Sequence, residues 1–329
     1  MSHPYTLIGA EMSPYSVKVR AYLRYKKIAH SWLPRFQNME LYQKHARIPI
    51  IPLVITPADE AMQDSTPIID ALDPLVPEPS IHPDNPALAF LSALLEEYGD
   101  EWGNKIMFHF RWWDEVDQAA CSLGLARSMA PNGEPSDVNA IAEKVRERMT
   151  GRGNFVGSSA ETAPLISKYF DRLLEILEAH LTNRKYLFGN RPAFADFGLA
   201  PQIYELARDP SAGAIIQSRT PHVLAWAYRM LEPHNEGDFE TWEDLKPTLQ
   251  PLLADAGSHF LPWSTANAKA LIAGDESFSV DLAGETYTQQ PQKYHARSLK
   301  VLRDRYAAIS DTAELDPILR ETGCLEYLT

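Results

Sequence analysis

Ser13 stands directly before Pro14, where an apolar strand pattern, Tyr5-Thr6-Leu7-Ile8, gives way to a helical one carrying Val17, Val19, Ala21, Tyr22 and Leu23. A proline fits the first turn of a helix, because its missing N–H would have no intrahelical partner there. Serine before it is a good helix cap, which is the plainest use of Ser13. The same position carries chemistry. A helix start presents free N–H groups and a partial positive charge, so an anion such as a thiolate set above it is stabilised. A second group lies at Asp64-Ser65-Thr66-Pro67, again potential caps followed by a proline. A third is the row Glu97, Glu101, Lys105 and His109, spaced by four along one helical face. Carboxylates and a histidine so spaced form half of a metal-binding bundle, but the second Glu-x-x-His helix is missing. The row therefore reads as ion pairs on a helix surface, and no metal is expected.

These residues need elements to hold them. Ile51-Pro52-Leu53-Val54-Ile55-Thr56 is a β-branched run with proline at its start, where a strand tolerates it. The order over the first 73 residues is then strand, helix, strand, irregular segment, strand, strand, helix. The second strand falls at about 29–33. Residues 73–86 hold five prolines in fourteen positions, which precludes regular helix and marks a semi-rigid linker. A single long helix is expected over 87–125, with Leu88, Leu91, Leu94, Leu95, Tyr98, Trp102 and Ile106 on its apolar side. Further helices are expected at 137–148, 163–182, 241–258, 260–273 and 294–309, with a short one at 315–321. A hairpin turning at Ala283-Gly284 is expected between 278 and 288.

The 329 residues suffice for two domains with sizeable cores. A net charge of −13 argues against nucleic acid or an anionic membrane surface as partner. No apolar run approaches the ~20 residues of a membrane span. The amino terminus reads without a secretory leader, and Cys121 and Cys324 show no disulfide or metal spacing. A reducing cytoplasmic setting is expected. There is no G-x-S-x-G and nothing sets a histidine beside Ser13, which disfavours a serine hydrolase.

The order and spacing of these motifs resemble the cytosolic glutathione S-transferases. Ser13-Pro14-Tyr15-Ser16 with Val17-Lys18-Val19-Arg20 looks like the catalytic motif of serine-type, tau-like classes. Ile51-Pro52 resembles the family's hydrophobic residue and cis-proline, although Pro49 competes for that role. Asp64-Ser65 resembles its acidic residue and serine. The segment 186–200 resembles the start of the family's buried carboxy-terminal helix, with Ala193 where a Ser or Thr cap is usual and Asp196 retained. The resemblance runs from residue 5 to about 232.

It implies an α+β chain: a thioredoxin-like domain (1–78), an all-α carboxy-terminal domain (87–232) and an extension (233–329) packed on the helices or over the cleft. It implies glutathione as co-substrate. Ser13 would hydrogen-bond its sulfur, Ile51 beside Pro52 would pair with its cysteinyl backbone, Asp64 would take the γ-glutamyl ammonium, and Ser65 the carboxylate. Arg35, Lys44 and Arg47 are candidates for the glycyl carboxylate. A small aromatic or hydrophobic electrophile would sit against the helices, with Tyr15, His109, Arg111 and Trp112 as candidate lining. The alternatives are a glutathione-dependent ether-cleaving lyase and a non-catalytic binding protein. A homodimer is expected, using part of the apolar 87–125 surface, unless the extension occupies that surface.

Overall fold

A computed structural model describes residues 4–329. Strand β1 (Tyr5–Gly9) leads through a short loop to α1 (Pro14–Tyr25), which crosses to the parallel strand β2 (His30–Pro34). A single tight turn over Arg35–Asn38 opens α2 (Met39–His45). Strands β3 (Leu53–Ile55) and β4 (Ala61–Gln63) then form an antiparallel hairpin, and α3 (Ser65–Leu72) follows. The sheet order β2-β1-β3-β4, with β3 antiparallel to β1, is the thioredoxin-like arrangement expected. Alternation sorts the two faces. Leu7 and Val54 pack under α1 and α3 with Val17, Val19, Ile68 and Ile69. Ile8, Leu53 and Ile55 pack under α2 against Tyr42.

The helical part begins with α4 (Pro86–Glu97), capped by Asn85 Oδ1, which accepts from Ala87 N at 2.8 Å and Leu88 N at 3.1 Å. The expected 87–125 helix is not continuous. It widens into one i→i+5 turn at Tyr98–Gly103, resumes as α5 (Asn104–Trp113), and breaks at Asp114 before α6 (Glu115–Met129). Asp114 is extended at φ −85° and ψ 145°, and the Gln118 side chain donates to the freed carbonyls of Trp112 (3.1 Å) and Trp113 (2.9 Å). Acidic Glu115 and Asp117 in the next turn suit a helix start. The apolar side expected for the first half is buried throughout.

Then come α7 (Pro135–Thr150), α8 (Gly153–Val156), α9 (Ala163–Leu181), α10 (Phe194–Arg208), α11 (Pro210–Arg219) and α12 (Pro221–Arg229). At the start of α10, Ala193 offers no side-chain cap. Asp196 accepts instead from Ala193 N (2.8 Å), Leu187 N (2.9 Å) and Trp226 Nε1 (2.8 Å), tying three segments together. α10 is central because it crosses the wide turn backbone to backbone. A Cβ on Gly99 would meet the Gly198 carbonyl carbon at 2.6 Å, and one on Gly198 would meet Glu96 O at 2.5 Å. Only glycine permits that approach.

The extension supplies α13 (Trp242–Asp255), α14 (Leu261–Ala273), the hairpin β5 (Phe278–Leu282) and β6 (Glu285–Gln289), α15 (Lys293–Ala307) and α16 (Leu315–Glu321). α13 and α14 are joined through one wide turn, Ala256–Phe260, rather than separated. The extension both packs on the helices and reaches the sheet unit. Trp102 meets Trp263 at 5.5 Å and Tyr287 at 6.1 Å between ring centres, and Phe90 meets Tyr306 at 5.7 Å. On the other side, Arg305 pairs with Asp70 of α3 at 2.7 Å. No helix among the described residues is long and apolar enough to cross a membrane.

Candidate functional site

Strand register brings the expected residues to one edge. Ile8 sits opposite Leu53, and Leu53 opposite Gln63. The loop after β1, the residues before β3 and the residues after β4 therefore share the same end of the sheet. Ser13, Ile51, Pro52, Asp64 and Ser65 all lie there.

Ser13 caps α1: its Oγ accepts from Ser16 N at 3.3 Å. A hydroxyl has one donor and two acceptor sites. Accepting the cap bond leaves the Ser13 O–H free to donate outward. Ser13 is half-buried, and no titratable side chain among the described residues hydrogen-bonds to it. The loop is fixed from behind. Arg111 donates to Met12 O at 3.0 Å, Arg208 to Glu11 O at 3.0 Å, and Arg20 pairs with the Glu11 carboxylate.

The Ile51–Pro52 bond is cis, so Pro52 and not Pro49 fills that role. Tyr42 O–H (2.8 Å) and Gln63 Nε2 (3.1 Å) both donate to Ile50 O and fix the approach to the strand. Nothing among the described residues hydrogen-bonds to the Ile51 backbone. Asp64 sits at φ 78° and ψ 132°, a conformation that costs a non-glycine residue about 1–3 kcal/mol and tends to mark functional sites. Ser65 is buried, with its Oγ 3.5 Å from Asp100 Oδ2. Behind this corner, buried Lys18 donates to Asp100 (2.6 Å), Thr66 (2.9 Å) and Glu96.

The candidates for an electrophile pocket do not converge on Ser13. Tyr15 O–H donates to Asp100 O at 2.9 Å, and burial raises its pKa well above the usual value. Arg111 is buried and paired with Glu205 (2.8 Å) and Asp209 (2.7 Å), so it props the Met12 carbonyl instead of facing a cleft. His109 is buried, with Nδ1 2.7 Å from Ser158 Oγ, and burial lowers its pKa to about 4. Trp112 lines a cavity of 350 Å³ with Trp113, Asn154 and Ser158, which Ser13 does not line. The element against the Ser13 loop is α6. Gly124 lies against Met12 Sδ, and Gln37 donates to Ser128 O at 2.6 Å. Reading 87–125 as one helix hid that wall, although the acids at 114–117 signalled a new helix start.

The row Glu97, Glu101, Lys105 and His109 is not a surface. All four are buried beneath later segments of the chain. Ser298 donates to Glu97 and His295 pairs with Glu101, while Lys105 donates to Val156 O (2.7 Å) and Gln289 Oε1 (2.5 Å). Burial lowers the Lys105 pKa to about 7. Among the described residues no cluster of three or more His, Cys, Asp or Glu could hold a metal. Of the basic candidates near the sheet edge, Arg35 lies over the Tyr42 ring at 4.3 Å and Lys44 pairs with Asp59 at 3.1 Å. Arg47 is exposed and its side chain has no partner among the described residues. It lines an open pocket with Ile48, Met62 and Gln63.

Two family models match the chain in order. The glutathione S-transferase N-terminal domain matches residues 7–80, and the glutathione S-transferase C-terminal domain matches residues 143–227. Comparison with curated proteins gave no match. Among solved structures, a tau class glutathione S-transferase from mango, Mangifera indica, is similar at 16% identity, with 75% of this chain and 97% of that one covered and a TM-score of 0.42. A glutathione S-transferase from Methylobacillus flagellatus, with glutathione bound, is similar at 18% identity over 69% and 94%, with a TM-score of 0.41. The beta-etherase LigF from Sphingobium is similar at 18% identity over 69% and 95%, with a TM-score of 0.46. Likeness at these levels carries no argument about activity, and the domain matches carry the kinship.

Proposed function

Because the chain belongs to the glutathione S-transferase superfamily, matching its N- and C-terminal domain models in sequence, we propose that it binds glutathione and activates the thiol for attack on a small aromatic or hydrophobic electrophile. One observation carries the reading: a free donor at Ser13, an unpaired backbone at Ile51 and the acid–serine pair at 64–65 lie along one sheet edge. An extended peptide pairs with such a backbone as an added strand would. The Ser13 O–H and the start of α1 would then favour thiolate. The nucleophile is the co-substrate's own sulfur, so no protein base need make an alkoxide. Asp64 would take the γ-glutamyl ammonium and Ser65 the carboxylate, with Arg47 the freest candidate for the glycyl end. The electrophile would meet α6 beside Met12 in place of His109, Arg111 and Trp112. The same thiolate could cleave an aryl ether, so an assay panel should include one.

Calorimetric titration with glutathione tests the reading directly. One site per chain is expected, and no binding at millimolar glutathione would remove both transferase and lyase and leave a binding protein of another kind. A cytoplasmic location is proposed with it. The two thiols, Cys121 and Cys324, are free and buried.

We further read the chain as a monomer. The α4 part of the apolar surface of 87–125 that favoured a dimer is covered within the chain: α15 lies on α4 through Phe90 and Tyr306 and reaches α3 through Arg305 and Asp70. Light scattering should give a mass near 37.0 kDa that does not rise with concentration. A doubled mass at micromolar concentration would restore the dimer.

A further inference from the structure

Beside the Asp64–Ser65 corner lies a small pocket of about 80 Å³, with one wall supplied by the extension. Asp64, Thr66 and Asp100 line it from the body of the protein, and Tyr294, Arg297 and Ser298 line it from α15. Its acidic side is unfilled. Asp100 lies behind it, its Oδ2 held by Lys18 at 2.6 Å and Thr66 at 3.3 Å. Asp64 accepts only the Tyr294 hydroxyl, at 2.9 Å, and a carboxylate has room for more. The other acids are served: Asp70 by Arg305, Glu101 by His295 and Glu97 by Ser298.

The basic side is unfilled too. Arg297 has no ion-pair or hydrogen-bond partner among the described residues, and the first N–H groups of α3 are free as at any helix start. An open acceptor site and an unpartnered guanidinium thus face one small space. A ligand group carrying an ammonium and a carboxylate on one carbon matches both.

We propose that Arg297 of the extension binds the α-carboxylate of the γ-glutamyl end of glutathione, while Asp64 holds its α-ammonium. The extension thereby completes the co-substrate pocket in cis. This rests on the glutathione reading above and adds the share taken by α15. Tyr294 ties α15 to Asp64, so the guanidinium is held over the pocket by the acid that binds the other half of the ligand.

The test compares glutathione with γ-aminobutyryl-cysteinylglycine, which lacks only the α-carboxylate, in calorimetry on the wild type and on Arg297→Ala. Arg297 is exposed and makes no contact that folding needs, so the variant should melt as the wild type does. The wild type should prefer glutathione by about tenfold or more, as a charge-assisted hydrogen bond would give. Arg297→Ala should weaken glutathione about tenfold and leave the analogue unchanged, narrowing the preference to what Ser65 and the start of α3 supply. Unchanged glutathione affinity in the variant, or equal weakening of both ligands, would overturn the proposal while glutathione binding itself stands. A wild type that binds neither ligand would remove the glutathione reading, and this proposal with it.

Discussion

Replacing Lys18 with methionine should destabilise the protein by about 3–5 kcal/mol, because it strands buried carboxylates without their cation. Lys18 is fully buried on α1, and its ammonium joins Thr66 of α3 to Glu96 of α4 and to Asp100 in the wide turn. Methionine keeps the apolar stem, so the loss reports on the charge. An exposed pair such as Lys300–Asp304 contributes about 0–1 kcal/mol by comparison. The loss should also depend on pH. Burial already pushes Asp100 up to about 8, with Lys18 pulling it down. Without Lys18, the folded-state pKa of Asp100 rises further above its unfolded value. An acid raised on folding favours the native state when protonated, and that stability is lost as pH rises through the folded pKa. The variant's urea midpoint should therefore fall from pH 7 to pH 9 more steeply than that of the wild type, whose loss levels off above about pH 8. Adding Asp100→Asn and Glu96→Gln should recover much of the loss. A deficit under about 1 kcal/mol that is the same at both pH values would mean the ion cluster does not exist as described.

That cluster shows where the sequence was legible and where it was not. Local chemistry wrote its own structure. Ser13 before Pro14 caps a helix, and Ala283 and Gly284 turn a hairpin at φ 53° and 89°. Ile51–Pro52 and Asp64–Ser65 fall at one sheet edge because strand alternation and hairpin length leave little other register. Three things resisted. The helical pattern ran across Asp114 because Met107–Trp113 is apolar on nearly every side, so periodicity had no phase to lose there. The row from Glu97 to His109 has the spacing of a surface. What buries it is α15, the β5–β6 hairpin and the Ser158 loop, and only their packing decides that the face is covered. Arg111 reads equally as a cleft residue or a prop, until Glu205 and Asp209 arrive from α10 and the residue just after it. The last two misses are long-range contacts overriding a correct local pattern.

Ser13→Ala should lower turnover about 10²–10³-fold, the size of the loss when a single donor to a reacting anion is removed, while glutathione affinity changes little. The distinction follows from where each bond is made. Affinity would be carried by the Ile51 backbone and by the Asp64–Ser65 corner, neither of which touches the Ser13 side chain. Ser13 would touch only the sulfur. Its O–H is free because the lone pairs, not the proton, serve the cap bond from Ser16 N. A donor favours the charged form of the group that accepts from it, so losing the donor should raise the pKa of the bound thiol. The variant also loses a helix cap, a cost of about 0.5–2 kcal/mol that a two-domain protein should survive folded. Ser13→Thr keeps both the cap and the O–H and should retain most activity, which separates catalysis from capping. The measurement is the thiolate absorbance of bound glutathione against pH, alongside kcat and Kd. A bound-thiol pKa in Ser13→Ala equal to that of the wild type would take Ser13 out of the mechanism. The positive end of α1 would then be the group that makes the thiolate.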